Sequence, residues 1–260
     1  MQQRRHSPGF TLIELAVVLV LIALILGGVM MGQSMIRQAE LRAVMTDVDR
    51  FIKATNQFRD KFEALPGDMY NATSYWGAKG VCPPAYSTTR ETTTCNGNGD
   101  GSLHLLGSAA QYQELYLVWQ HLANSGFAEG LYTGATASAT GELVQPELNA
   151  PARVSGGYTL LNARGADTTD AANYFSTDYA HTIYYGAKTD TTLRATMGLI
   201  LSGEEAYAID AKFDDAIPSA GKAITFKNGG TIAPGCATSS TAYASSATTR
   251  VCAMMFKMGF

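Results

Sequence analysis

Asn96-Gly97-Asn98-Gly99-Asp100-Gly101 is the one stretch of this 260-residue sequence with ligand-like spacing. Oxygen-bearing side chains at alternate positions, with glycines between them, can wrap one calcium ion as in the first half of an EF-hand-type loop. The second half is missing. The twelfth position is Gly107, where a bidentate acid is needed, and the next glutamate is Glu114. Of Asn96, Asn98 and Asp100, only Asp100 brings charge. The favoured reading is therefore a glycine-rich turn with Asn and Asp in left-handed conformations, and a calcium ion bound there would be structural.

Other reactive residue types are dispersed. There is no Gly-x-Ser-x-Gly elbow, no His-Glu-x-x-His and no P-loop, and the four histidines have no evident partner. His121 has no second His or Cys at helical ligand spacing and reads as a partly buried surface histidine. Asp210, Asp214 and Asp215 read as solvated residues at a helix carboxyl end, unfavourably placed for the dipole. The sequence thus asks for no enzyme and no cofactor other than that calcium. Cys82, Cys95, Cys236 and Cys252 lie in Thr/Ser/Gly/Pro-rich segments without a Cys-x-x-Cys unit, which argues against redox or zinc chemistry. Four cysteines allow three connectivities, and the sequence does not choose. Pairing by proximity, Cys82 with Cys95 and Cys236 with Cys252, closes two short loops worth about 3 kcal/mol each.

One acid sits where an acid is costly. After Arg4, Arg5 and His6 the chain runs Ser7-Pro8-Gly9-Phe10-Thr11-Leu12-Ile13-Glu14, then an apolar run from Leu15 to Met31, and no charged side chain follows Glu14 until Arg37. A basic head before about 17 to 22 apolar residues has the form of a membrane-spanning helix. A secretory signal would end in small residues at a cleavage site, whereas this run passes through Gly27-Gly28-Val29-Met30-Met31 into a polar helical pattern. A plain anchor has no use for Glu14, which costs roughly 2.5 to 3.5 kcal/mol at a bilayer centre and less near an interface. A carboxylate there suggests a partner, and the amino end of a helix favours it through the dipole.

Gly9-Phe10-Thr11-Leu12-Ile13-Glu14 resembles the processing site of type IV prepilins and of the pseudopilins of type II secretion. The resemblance is specific and covers about the first quarter of the chain. It implies cleavage after Gly9 by a prepilin peptidase, methylation of the new amino group of Phe10, and a cytoplasmic leader over residues 1–9. Thr11, Leu12, Ile13 and Glu14 would then open the assembly helix, with Glu14 neutralising the amino terminus of a neighbouring subunit. Many pilins carry a proline inside this helix. Here Gly27, Gly28 and Gly32 are the only helix weakeners, each costing about 1 kcal/mol relative to Ala. They mark either a site of local melting on assembly or close helix packing.

The remaining elements are set by periodicity. Ile36, Leu41, Val44, Met45, Val48, Phe51, Ile52, Phe58 and Phe62 form one apolar stripe, with Arg37, Glu40, Asp47, Asp49, Arg50, Lys53 and Arg59 over the other surface. Phe10 to about Ala64 is therefore one helix, about 80 Å long, ended by Leu65-Pro66-Gly67. The domain reading is a leader over 1–9, a transmembrane and assembly half over 10–32, an amphipathic half over 33–65, and a periplasmic or extracellular globular domain over 66–260. Within that domain, residues 66–107 are mostly turn and loop. Leu65-Pro66-Gly67-Asp68, with Tyr75-Trp76-Gly77 shortly after, resembles more loosely the segment beyond the helix in some bacterial prepilin-type proteins. Ala109 to Ser125 reads as a helix with Tyr112, Leu115, Trp119 and Leu122 on one face, and residues 130–157 as loop. Strands are expected at Tyr158–Leu161, His181–Tyr185, Thr196–Leu201, Ala223–Lys227 and Val251–Met258. Ser202 and Glu205 have capping-box spacing before a short helix.

The resemblance implies an α+β, type IV pilin-like fold: a long amino-terminal helix, its first half membrane-spanning, packed on a small antiparallel sheet domain with long disulfide-closed loops. A net charge of -3 gives no basic field, so no nucleic-acid partner is expected. The resemblance implies a pilin or pseudopilin subunit, in the inner membrane with its carboxyl-terminal domain in the periplasm before assembly and in the fibre afterwards. Its partners would be other pilin or pseudopilin subunits, the prepilin peptidase, an inner-membrane platform protein and, indirectly, an assembly ATPase. The alternative is a low-copy tip or minor pilin acting as an adhesin or substrate-binding module.

Overall fold

A computed structural model describes residues 11–82, 86–103, 109–137, 144–153, 156–164, 174–176, 178–188, 195–227, 236–244, 246 and 248–260. The chain divides into two units, Met1–Ala43 and Val44–Phe260. Helix α1, Leu12–Phe62, contributes to both.

In the first unit α1 is apolar and exposed as far as Ile36. Every large apolar side chain from Leu12 to Ile36 is exposed, and by length and composition the helix can cross a membrane. It continues without interruption through Gly27, Gly28 and Gly32, where an added Cβ would meet nothing.

In the second unit α1 turns amphipathic. Val44, Val48, Phe51, Ala54 and Phe58 recur at helical intervals and are all buried. Helix α3, Ala109–Asn124, and a five-stranded antiparallel sheet supply their partners. Phe51 meets Trp119 of α3 edge-on at 4.8 Å and Tyr158 of the sheet at 5.1 Å. α1 ends two residues earlier than its periodicity suggests. Glu63 is already left-handed at φ 51°, and Pro66 forbids continuation.

The sheet has the order β1-β2-β3-β9-β5, with β1 Ala152–Arg153, β2 Gly156–Arg164, β3 Asp178–Gly186, β5 Ala223–Thr225 and β9 Met254–Lys257. Tyr158 and Tyr185 are paired across β2 and β3, their rings 5.2 Å apart. On β9, Phe256 pairs with Ile183 and receives Phe213 of helix α4, Gly203–Phe213, at 5.2 Å. Tyr184 points to the opposite face, where Phe226 lies against it at 4.9 Å. Both faces are thus covered, and nearly all of β2, β3 and β9 is buried. This is the expected α+β arrangement, a long helix whose carboxyl-terminal half packs on an antiparallel sheet.

Several local expectations are corrected. Thr196–Leu201 is not a strand: only Leu201 enters one, β4 Leu201–Ser202, and Gly198 makes an isolated bridge to Ala187. Thr196 uses its polar groups otherwise. Its N–H donates to Thr159 Oγ1 and its hydroxyl to the Tyr184 carbonyl, which holds this segment across the back of the sheet. Val251–Met258 is two strands, since β8 Arg250–Cys252 pairs with β4 before β9 joins β3 and β5. Residues 252–256 are all buried, so no alternation marks the change of sheet. β1 lies within the expected loop 130–157, and a one-turn helix, α2 Thr73–Trp76, within the expected loop 66–107. A small hairpin pairs β6 Ala237–Ser239 with β7 Ala242–Tyr243. Ser202 caps α4 reciprocally with Glu205, as the spacing indicates. The cysteines pair Cys82–Cys95 and Cys236–Cys252, resolving the connectivity.

Candidate functional site

Gly9 and Phe10 lie outside the described residues. The described part of the amino-terminal site begins at Thr11, which is the residue before α1 and sits three positions ahead of Glu14. Thr11 N–H and Oγ1 both donate to Glu14 Oε2 at 2.8 Å, and Glu14 N–H returns to Thr11 Oγ1 at 3.3 Å. This is a capping box: Thr-x-x-Glu satisfies amide donors that the first turn would leave bare. The spacing was available in the sequence and gives Glu14 a second local role. Leu12 and Ile13 are 89 % and 71 % exposed, presenting apolar surface beside the carboxylate.

A second site joins the two unusual strings of the second unit. Pro66-Gly67-Asp68 turns the chain after α1 and delivers Asp68 under the glycine-rich loop. Asp68 Oδ1 accepts from Gly99 N–H at 2.7 Å and Asp100 N–H at 3.1 Å, and Oδ2 accepts from Gly101 N–H at 2.8 Å. Gly97 must be glycine because a Cβ would stand 2.4 Å from Asp68 Cα. Gly67 must be one too, with φ +92° and Glu114 carbonyl oxygen 2.4 Å from its missing Cβ. The left-handed residues of the loop are Gly99 and Gly101, rather than the Asn and Asp expected there. Asn96 Oδ1 accepts from Thr73 N–H and so holds the start of α2, while Asn98 Oδ1 accepts from Asp100 N–H.

Asp100 is therefore the member of the sequence-predicted trio that meets other acids. Carboxylate oxygens of Asp68, Asp100 and Glu114 lie within 4.8 Å of one another. Asp68 and Glu114 are buried and Asp100 is exposed. Glu114 Oε1 accepts from Asn98 N–H at 2.9 Å. Burial pushes the Glu114 carboxyl up to about 8, with Asp68 and Asp100 adding repulsion, and burial also raises Asp68. Glu114 and Asp68 escaped the sequence reading because they come from a helix and a turn distant from the loop.

His121 is not a surface residue. It is fully buried, its Nδ1 accepts from Gly67 N–H at 2.9 Å, and its Nε2 stands 3.0 Å from Thr94 Oγ1. Thr94 in turn donates to Gln120 Oε1 at 2.8 Å. Because Nδ1 accepts, the proton belongs on Nε2. Burial holds the imidazole at about 3, so it is neutral and structural, a latch on the same Gly67 turn. The amphipathic reading of α3 failed here because residues 114–122 are buried on every side.

Two more carboxylates are corrected. Asp47, expected on the polar face, is buried and accepts from Arg153 Nε at 2.6 Å and Tyr158 OH at 3.1 Å, tying α1 to β1 and β2. Asp210 is buried and accepts from Tyr243 OH at 2.9 Å, and burial raises it to about 6. Asp214 and Asp215 are exposed as expected, but cap backbone: Lys222 N–H donates to Asp214, and Ile217 N–H to Asp215.

No curated protein and no solved structure matches the chain. Residues 4–30 match the family model described as the Prokaryotic N-terminal methylation motif, so the chain carries the prepilin-type cleavage and methylation motif at its amino end.

Proposed function

We propose that this protein is a structural subunit, a pilin or pseudopilin, of a type IV pilus or type II secretion pseudopilus. The reading rests on one observation above others: the methylation motif opens directly onto a helix whose large apolar side chains from Leu12 to Ile36 are all exposed among the described residues. Apolar surface of that extent is covered by lipid before assembly and by neighbouring helices in a fibre. A prepilin peptidase removes residues 1–9 after Gly9, and Phe10 becomes the methylated amino terminus. The carboxylate of Glu14 then fixes the stagger between subunits, since a charge buried in the fibre and left unpaired is strongly unfavourable and only the correct stagger pairs it. Before assembly the subunit stands in the inner membrane with the outer unit in the periplasm. The platform protein and other pilins act on it in that membrane, and the cytoplasmic assembly ATPase acts indirectly.

A second reading, a low-copy tip or minor subunit that binds a surface or a secreted substrate, is favoured by a cleft of about 600 Å³ in the outer unit, lined in part by Arg59, Tyr70, His181 and Phe260. Copy number in sheared fibres separates the two. The primary test is the mass of the amino-terminal peptide recovered from membranes or fibres. A peptide starting at methylated Phe10 supports assembly, and one starting at Met1 in cells with an active prepilin peptidase leaves only a membrane-anchored outer domain.

A further inference from the structure

We infer that Asp68, Asp100 and Glu114 bind one divalent cation of the calcium class, which ties together the turn after α1, the glycine-rich loop and helix α3. Three carboxylates offer oxygens within 4.8 Å of one another. Two oxygens on opposite sides of a calcium ion, each about 2.4 Å from it, are separated by about that distance. The cluster is held in place before any ion arrives, because three backbone amides of the loop fix Asp68 and Asn98 N–H fixes Glu114.

A second observation is independent of the cluster's composition. Glu114 is only 1 % exposed, and its Oε2 is buried with no hydrogen-bond partner among the described residues. A buried carboxylate oxygen left unmatched costs about 1 to 3 kcal/mol or more, and a cation removes that cost where a proton only moves it. The repulsion that Asp68 and Asp100 exert on Glu114 is of the sign a divalent ion relieves. Access is available, since Asp100 is exposed and Asp68, Gly99 and Gly101 line the cleft. All the donors are hard oxygens, and waters on the open side complete a flexible shell, which suits calcium over magnesium. The inference holds whether or not the chain polymerises.

The test uses the full-length protein in detergent micelles, freed of metal by chelation and titrated with calcium chloride to about 10 mM, a range set by extracellular calcium modules. The expected result is one ion per chain by calorimetry and a Tm raised by about 4 °C or more. Terbium luminescence sensitised by Tyr70, which packs on Gly99, gives a second readout. Glu114→Gln and Asp100→Asn should each weaken binding about tenfold or more, and Asp214→Asn, in the other acidic group, should leave it unchanged. Asp100 is exposed, so its variant carries the test where Glu114→Gln fails to fold. A wild-type protein blind to calcium, or a calcium response that survives both Glu114→Gln and Asp100→Asn, would overturn the inference. So would a Glu114→Gln variant more stable than a calcium-blind wild type, the mark of a merely protonated acid.

Discussion

Acidification should loosen the second unit through His121. The ring is neutral when folded, because burial holds its pKa at about 3 against 6.5 for a free imidazole. Between those values the unfolded chain binds a proton that the folded chain refuses, so stability is full above pH 6.5 and is lost as pH falls toward 3. From pH 7.5 to 5 the loss from this residue alone is about 2 kcal/mol, or about 4 to 8 °C in Tm for a domain of this size. Other carboxylates titrate in the same window, so the decisive quantity is the difference between wild type and His121→Asn. The variant loses the ring that lies 6.3 Å from Phe58 and 5.3 Å from Trp76, and is less stable at pH 7.5. Its deficit should shrink by about 2 kcal/mol at pH 5, because it has no imidazole to protonate. Thermal melts of the full-length protein in micelles, followed by the fluorescence of Trp76 and Trp119, measure both. An equal deficit at the two pH values would refute the argument, as would imidazole resonances showing His121 protonated in the folded protein at pH 5.

Asp47→Ala leaves Arg153 and Tyr158 without their shared acceptor and should cost about 2 to 3 kcal/mol, discounted because the Arg153 side chain is 37 % exposed. Tyr158→Phe keeps the ion pair and should cost about 1 kcal/mol in the same unfolding assay. Gly97→Ala drives a methyl into the Asp68 backbone and should destabilise by about 3 kcal/mol, visible as protease sensitivity of the loop from Cys95 to Ser102. A Gly97→Ala protein as stable and as resistant as wild type would show that Asp68 does not sit beneath the loop.

Features encoded by local spacing were legible without the structure. Thr11 and Glu14, three residues apart, cap the first turn of α1, and Ser202 and Glu205 do the same for α4. The apolar run, the stripe from Val44 to Phe58 and the methylation motif are likewise readable within a few turns of helix, whereas the sheet of the α+β class was implied only by the resemblance that the motif carries. Folding in three dimensions chose which polar residues go inside. Asp47 meets Arg153 from 106 residues away, and His121 meets Gly67 from 54. Glu114 and Asp68 reach the glycine-rich loop from a helix and a turn. A buried polar group is stable only where a partner waits, and partners brought together by folding leave no period in the sequence that could announce them.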